Sequence, residues 1–383
     1  MEEYNLRAIV EMIRNQFKGL EFIPLHAPHF RGNEKKYLNE CIDTTFVSSI
    51  GAFVDRFENM ICEVTGAKHA IAIVNGTNAL HLALIVAGVE AGDEVLTQPL
   101  SFIATANAIT YCNAHPHFID VDRETLGFSP SICRKHLIEV AEIRDGKCYN
   151  KITNRRISAC VPMHTFGLPM YIQELKELCD EYHIPIVEDA AESLGSYYKG
   201  QHTGTFGLLG TFSFNGNKTI TCGGGGVIVT DNKELAKRAK HLSTQAKVPH
   251  PWEFIHDEIG YNYRMPNLNA ALACAQLEQL ADFVENKRDL AHFYQSFFKN
   301  MSRVHFMKEI PDSKSNYWLN TVLLENLEVR NEFLSFTNDN GVMTRPVWQL
   351  MNKLNMFKDC FRSDLSNAEW LEERIVNIPS SVR

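Results

Sequence analysis

The sequence lacks several features that would define its class at once. No apolar run approaches the roughly 20 residues needed to cross a bilayer. No internal repeat, low-complexity tract or Pro/Ser-rich linker divides the 383 residues. An excess of positive charge is also absent, since the formal net charge is −8. We therefore expect a protein that neither spans a membrane nor binds nucleic acid.

Motifs for metals and export are missing as well. Ten cysteines are present, but no two have the C-x-x-C spacing. They are scattered through apolar or helical-looking stretches, which is typical of buried free thiols rather than of disulfides. The start, MEEYNLRAIVEMIRNQF, begins with acidic residues at helical spacing, unlike a signal peptide. These features predict a cytoplasmic protein in a reducing compartment, without a metal site.

Between about residues 69 and 240, short β-branched runs alternate with helical patterns. The predicted strands are 69–74, 94–97, 117–121, 157–163, 184–188 and 225–230, and the predicted helices are 77–87, 103–111, 171–182 and 233–242. This alternation predicts an α/β domain around a mainly parallel sheet.

The rest of the chain has a different pattern. Pro266 stands where a first helical turn tolerates proline, and a long amphipathic stretch, 267–298, follows it. Residues 300–383 have the shorter patterns of a smaller α+β domain. We predict an N-terminal helical segment (1–45), a large α/β domain (46–265), and a long helix with a C-terminal small domain (266–383).

The first motif that can carry chemistry is VNGTN, residues 74–78, at the junction of a predicted strand and helix. Backbone N–H groups at a helix N-terminus bind phosphate, glycine lets the backbone approach closely, and Thr77 adds a hydroxyl. The alternative is an ordinary turn in which Asn75 or Thr77 caps the helix.

The second motif is a hydrophobic strand that ends in Glu188 and Asp189, followed by Ala190-Ala191-Glu192. In open α/β sheets, ligands bind at the carboxyl ends of strands. An aspartate there can keep a pyridine nitrogen protonated, and two small alanines let a flat ring lie close to the backbone. The alternative is that Asp189 or Glu192 caps the next helix.

The third motif places Lys218 just before four glycines, 223–226. Burial and neighbouring cations lower the pKa of a lysine, which makes it a nucleophile towards an aldehyde. Ser213, on the same strand, could reach a phosphate. The glycines lack the spacing of a dinucleotide fingerprint or a P-loop, and a surface lysine beside a flexible hairpin is the alternative. Together, the three motifs supply what pyridoxal phosphate needs.

With these three motifs, the chain resembles the sugar aminotransferases of the DegT/DnrJ/EryC1/StrS family. The resemblance runs from about Phe22 to the end and includes NGTNALHLAL, PLSFIATANAI, EDAAESLGS, FSFNGNKTITCGGGG and GYNYRMPNLNAALACAQLEQL. It implies fold type I of the pyridoxal-phosphate-dependent transferases, the aspartate-aminotransferase-like architecture. Residues 213–218, 247–257, 316–320 and 344–348 are most similar to the legionaminic-acid branch, which aminates C4 of UDP-linked 4-keto-6-deoxy-N-acetyl sugars.

The resemblance also assigns roles to residues. Lys218 matches the Schiff-base lysine and Asp189 the partner of the pyridine nitrogen. Asn262 matches a residue that reaches the cofactor phosphate of the neighbouring subunit, which implies a homodimer with shared sites. Glu192 lies near the ring hydroxyl, where many relatives have Gln or His, so a carboxylate there must be protonated or turned away. The other matching positions are Gly76, Thr77 and Ser213 at the phosphate, and Phe102 and Ala191 on the two ring faces.

Four residues are candidates for contact with the sugar nucleotide, and each has an alternative. His164 follows a buried strand and either lines the site or is a core histidine. Trp252 and His256 either form a loop over the nucleotide or pack at the dimer interface. Arg345 is either a bidentate donor to a diphosphate or part of a surface salt bridge.

The resemblance implies transfer of an amino group from L-glutamate to a UDP-linked keto-sugar, with ping-pong kinetics, in the biosynthesis of surface glycans. Some relatives are sugar 3-dehydratases, but those have histidine where this chain has Lys218. A catalytically inactive regulatory or scaffold protein that binds pyridoxal phosphate on the same fold is the alternative from another class.

Overall fold

The computed structural model describes residues 4–383. Its α-helices are α1 (Leu6–Gln16), α2 (Glu34–Asp43), α3 (Ala52–Thr65), α4 (Gly76–Val86), α5 (Ile103–Tyr111), α6 (Pro130–Val140), α7 (Ile172–Glu181), α8 (Lys233–Ser243), α9 (Asn267–Leu277), α10 (Leu280–Phe298), α11 (Leu327–Asp339) and α12 (Ser366–Glu372). Short 3₁₀ turns lie at Thr165–Gly167 and Met351–Lys353. No helix in this range is long and apolar enough to cross a membrane.

The strands lie between these helices. They are β1 (His69–Ile73), β2 (Glu94–Thr97), β3 (His115–Phe118), β4 (Ala141–Arg144), β5 (Lys147–Asn150), β6 (Arg155–Val161), β7 (Val187–Asp189), β8 (Tyr197–Tyr198), β9 (Gln201–His202), β10 (Leu209–Ser213), β11 (Gly226–Thr230), β12 (Lys247–Val248), β13 (Ile255–His256), β14 (Val304–Phe306), β15 (Ser313–Lys314), β16 (Asn320–Leu324), β17 (Arg345–Pro346) and β18 (Ile375–Ile378). The expected strand at 117–121 begins earlier, at His115, and ends at Phe118.

One large sheet has the strand order β3-β2-β6-β7-β10-β11-β1. Its two halves meet through parallel bridges between β6 and β7, at Cys160–Ile186 and Met163–Asp189. Neighbouring strands run parallel, except that β11 is antiparallel to both β10 and β1. This arrangement confirms the predicted mainly parallel sheet.

Helices cover both faces of this sheet, and the side chains of β11 show how. Val227 and Val229 join the core formed with α3 and α9, whereas Ile228, between them, joins the core formed with α4 and α8. Successive residues of a strand point to opposite faces, so a strand buried on both faces is apolar throughout. This burial explains why the sequence shows short continuous apolar runs here.

The prediction of one long helix over 267–298 is wrong in one respect, because the structure has two helices there, α9 and α10. The break falls at Glu278–Gln279, where the Gln279 amide donates to the Ala275 carbonyl oxygen at 3.0 Å and to the Glu34 carboxylate at 2.8 Å. The first helix, α9, is buried along most of its length against α2 and α3. A helix that is buried on nearly all sides has no polar face in its sequence. The apolar pattern of α9 therefore runs into that of α10, and the sequence does not show where the first helix ends.

A smaller antiparallel sheet, in the order β14-β16-β18-β17, lies in the C-terminal part. Its core includes residues of α1, α10 and α11. The N-terminal helices therefore divide, since α1 packs into this core and α2 packs on α9. The domain boundaries stay a prediction. In the described residues all ten cysteines are free, in agreement with the expectation of free thiols.

Candidate active site

A cavity of about 320 Å³ lies at the carboxyl ends of β7 and β10, beside the N-terminus of α4. Ligands collect at such strand ends in open α/β sheets. The side chains and backbone that line it belong to Asn75, Gly76, Thr77, Leu80, Phe102, Ala104, Met163, Asp189, Ala191, Glu192, Ser213, Asn215, Asn217, Lys218, Gly224, Gly225, Trp318 and Trp348. The three predicted motifs therefore meet at one place.

One end of the cavity is built from the first turn of α4. The Asn75 side chain caps this helix by accepting from the Asn78 N–H at 2.8 Å. The amides of Gly76 and Thr77 belong to the first turn, whose N–H groups have no acceptor within a helix. A Cβ on Gly76 would lie 2.7 Å from Cβ and 3.0 Å from Oγ of Ser213. The absence of that atom leaves amide and hydroxyl donors together, which suits a phosphate.

The two acids at the end of β7 have different tasks because neighbouring strand residues face opposite ways. Glu188 points into the core, where its carboxylate accepts from the backbone N–H groups of Gly204, Phe206 and Gly207. Asp189 points to the cavity, where it accepts from the Thr105 hydroxyl at 2.7 Å. Only Asp189 is available to a ligand.

Lys218 also lines the cavity and is largely enclosed, with 14% of its side chain exposed. Its Nζ lies 4.1 Å from the centre of the Trp318 ring and 3.4 Å from Oε1 of Glu192. The Trp318 indole N–H donates to the Asn217 carbonyl oxygen at 2.6 Å, which fixes the ring beside the lysine. A cation over an indole face gains about 0.5–2 kcal/mol.

Glu192 is almost completely buried and faces Lys218. Its second oxygen, Oε2, accepts from the Phe166 N–H at 2.8 Å. Phe166 holds this N–H in place with φ of 58°, a left-handed conformation that is rare for a bulky residue. Burial is the largest cause that raises the pKa of Glu192 to about 7, and the charge of Lys218 opposes it.

Aromatic rings form the outer wall. Phe102 stands at the start of α5 with half of its surface exposed and meets the Trp348 ring edge-on at 6.1 Å. Trp348 in turn packs on the buried ring of Phe166 at 5.1 Å. Ala191 contributes a small side chain to the lining. A flat ligand between Ala191 and Phe102 would contact one small and one aromatic face.

The structure does not bring the four candidate sugar-nucleotide residues into this cavity. His164 is fully buried, and its Nε2 lies 3.0 Å from Glu188, so the alternative of a core histidine applies. Trp252 and His256 are exposed on the β12–β13 hairpin and its loop, and Arg345 is exposed on β17. Asn262, expected to serve a second subunit, is exposed beside Thr244 and does not line the cavity either.

Several lining residues were not among the predicted site residues. Trp318 and Trp348 come from the C-terminal part, in the stretches 316–320 and 344–348, whose resemblance to the legionaminic-acid branch assigned no role to either tryptophan. Thr105, which donates to Asp189 without lining the cavity, lies inside a predicted helix. One general rule could have pointed to the tryptophans. A buried tryptophan usually donates its N–H to a hydrogen-bond partner, so each tryptophan is a candidate for a fixed position in the structure.

The residues present fit pyridoxal phosphate. The Gly76–Ser213 contact leaves room that a Cβ would fill, Asp189 supplies a carboxylate for a ring nitrogen, and Lys218 supplies an enclosed amine. The cavity volume lies at the lower end of the range of about 300–1,000 Å³ for small-molecule sites. These donors and acceptors can hold a phosphorylated pyridine aldehyde.

Comparisons with known proteins agree with this chemistry. The family model described as "DegT/DnrJ/EryC1/StrS aminotransferase family" matches residues 28–383. The chain is 39% identical over 361 residues to the GDP-perosamine synthase of Escherichia coli O157:H7, which covers 94% of each chain. It is 36% identical over 364 residues to the GDP-perosamine synthase of Vibrio cholerae, again over 94% of each. The aminotransferase TlmJ from Streptoalloteichus hindustanus superposes with a TM-score of 0.85 at 26% identity, covering 94% of this chain and 93% of that one.

Proposed function

Because the chain belongs to the DegT/DnrJ/EryC1/StrS aminotransferase family, we propose that it moves an amino group from L-glutamate to C4 of a UDP-linked 4-keto-6-deoxy-N-acetyl sugar. The chain is an aminotransferase of fold type I. The observation that carries the proposal is the convergence of Lys218, Asp189 and the Gly76–Ser213 contact on one cavity. The amino sugar formed would serve the synthesis of surface glycans.

Aminotransferases of this family depend on pyridoxal phosphate, and we infer that this chain binds it in the cavity. When bound, the cofactor supplies an electron-withdrawing ring that stabilises negative charge on the carbon next to the transferred nitrogen. The amides of Gly76 and Thr77 and the hydroxyl of Ser213 would bind its phosphate. Asp189 would hold a proton on the ring nitrogen, with its carboxylate oriented by the Thr105 hydroxyl.

Lys218 has two tasks in this proposal. Its amine would bind the cofactor aldehyde. As a free amine, it would take a proton from the α-carbon of L-glutamate as a general base. It would deliver a proton to C4 of the sugar in the second half of the cycle. The rings of Trp318, Trp348 and Phe102 would exclude water from the amine. Because the keto acid formed from L-glutamate would leave before the keto-sugar binds, we expect ping-pong kinetics.

A specific observation favours a second nucleotide. The two similar proteins above are named GDP-perosamine synthases, and perosamine is a 4-amino-4,6-dideoxy sugar. The proposed position of amination is the same in both cases, whereas the nucleotide differs. GDP-linked 4-keto-6-deoxymannose is therefore the second candidate substrate.

A homodimer is also proposed. Trp252, Phe254 and Ile259 expose 78%, 82% and 86% of their surface in the single chain. Large apolar side chains grouped in this way are typical of a surface that another chain covers. Asn262 follows the same loop, and the family resemblance implies that it reaches the cofactor phosphate of the partner subunit. Size-exclusion chromatography with light scattering tests this proposal.

The decisive experiment is Lys218→Ala. Incubation with pyridoxal phosphate and then borohydride should label wild-type protein at Lys218, as seen by peptide mass spectrometry, and the variant should have neither label nor turnover. Lys176→Ala, which removes an exposed lysine of α7, is the matched control and should behave as wild type. Label or turnover that survives in Lys218→Ala contradicts the assignment.

The substrate is tested by supplying UDP-linked and GDP-linked 4-keto-6-deoxy sugars with L-glutamate and following the amino sugar by mass spectrometry. Faster turnover of the UDP-linked sugar supports the first candidate, and faster turnover of the GDP-linked sugar replaces it with the second. A bound cofactor whose absorbance does not change with L-glutamate or with other amino acids would instead indicate the regulatory or scaffold protein.

A further inference from the structure

Glu192 stands out among the groups of the cavity because the proposed chemistry gives it no task. The sequence left two possibilities for this carboxyl group, protonated or turned away. The structure excludes the second, since one oxygen lies 3.4 Å from Nζ of Lys218 and the other accepts from the Phe166 N–H at 2.8 Å. The side chain is only 3% exposed. Its charge is therefore balanced by the protein and not by water.

Lys218 is the cation that balances it. The other charged neighbour, Asp189, is an acid and disfavours a second negative charge. From the N-terminal segment, His26 faces the same lysine, but burial and the charges of Lys287 and Lys218 lower its pKa well below its usual range. His164 is bound to Glu188 in the core. The Phe166 N–H is a neutral donor, and one such bond does not offset the burial of a carboxylate.

We propose that Glu192 and Lys218 share one proton, so that Glu192 takes up the proton that Lys218 loses when its amine condenses with an aldehyde. In that condensation the ammonium group has three hydrogens. Two leave with the aldehyde oxygen as water while a C=N bond replaces C=O, and the third passes to the Glu192 carboxylate. No oxidant or reductant is needed. This inference rests on the proposed function, because it requires an aldehyde cofactor at Lys218.

The geometry gives the reason for the transfer. Once the amine of Lys218 is uncharged, Glu192 keeps only the neutral Phe166 N–H as a donor and has the negative Asp189 nearby. The ionised carboxylate of Glu192 then loses the cation that stabilises it. As an acid, Glu192 offers an O–H towards the cavity and can donate to an anionic oxygen of a bound ligand. The raised pKa of this carboxyl group, about 7 even beside the charged lysine, is consistent with ready protonation.

The test is a count of protons released when pyridoxal phosphate binds. Calorimetric titrations at pH 8 in buffers of different ionisation enthalpy give this count for wild type, for Glu192→Gln and for Glu11→Gln, which changes an exposed glutamate of α1. We expect Glu192→Gln to release about one proton per site more than wild type, because the proton of Lys218 then goes to solvent. The control should match wild type, and the cofactor's own protonation cancels in the comparison.

Equal proton counts in wild type and Glu192→Gln would overturn the inference while leaving the proposed function intact, provided that borohydride still labels Lys218 in both. Failure of the wild type to bind the cofactor would refute the proposed function itself. Should Glu192→Gln not fold, Glu192→Met removes the same titratable group at similar length. Glu192→Asp, which keeps a carboxyl group, should restore the wild-type count, and an extra released proton in this variant also contradicts the inference.

Discussion

Gly76→Ala tests whether the end of the cavity beside α4 binds a phosphate. The added Cβ would lie 2.7 Å from Cβ of Ser213, whereas non-bonded carbon atoms are best separated by about 3.5–4.0 Å. Either Ser213 or the first turn of α4 must therefore move by about 1 Å. Both carry donors that we assign to the cofactor phosphate, so the movement separates groups that act together.

The expected loss of cofactor affinity follows from the close contact between the added Cβ and Ser213. Overpacking of a close-packed site costs about 1–3 kcal/mol. If this cost falls on the bound state, the dissociation constant for pyridoxal phosphate rises about 5- to 150-fold, since 1.4 kcal/mol corresponds to a factor of ten. The unfolding free energy of the cofactor-free protein should change by less, because the empty cavity gives Ser213 room to move.

Gly216→Ala is the matched control. A Cβ at this position meets nothing within 4 Å, and the residue lies on the same segment as Lys218. Dissociation constants from the absorbance of the bound cofactor, with urea unfolding of the cofactor-free proteins, give both quantities. Equal cofactor affinity in Gly76→Ala and Gly216→Ala would refute the phosphate assignment, whatever the activity of either variant.

Two further predictions concern other parts of the molecule. Asp189→Asn should keep the cofactor but lose most of the rate, because an amide does not hold a proton on the ring nitrogen; turnover equal to wild type removes Asp189 from its role. Lys287 is fully buried, and burial lowers its pKa from 10.5 to about 7. The unfolded chain binds more protons there than the folded protein, so wild type should gain up to about 5 kcal/mol of unfolding free energy from pH 7 to 10.5 relative to Lys287→Met. A stability difference that does not depend on pH in this interval, measured by urea unfolding, contradicts this.

Residues at the ends of strands could be predicted from the sequence. Asp189 and Ser213 directly end β7 and β10, and Gly76 follows β1 closely. In a mainly parallel sheet such ends meet at one edge, so local patterns are enough to bring these residues together. The topology supplies the distances that the sequence does not contain.

The tryptophans of the cavity could not be predicted in the same way. Trp318 reaches Lys218 because the loop before β16 packs across the end of the large sheet, and no local pattern encodes that packing. His164 shows the same difficulty, since its partner Glu188 lies across the bridge between β6 and β7. Whether a polar residue faces a ligand or the core depends on such long-range partners.

The single antiparallel strand of the large sheet has a consequence for how the protein is made. β11 pairs with β1, which lies far earlier in the chain, and Gly226 at its start leaves no space for a Cβ beside the Asn75 backbone. The contact between β11 and the turn that opens α4 can therefore form only after the intervening strands have been synthesised. Sheets closed by such distant pairings form slowly. We therefore expect a nascent chain to bind its cofactor only late in folding. The fluorescence of the bound cofactor would then report when β11 has joined the large sheet.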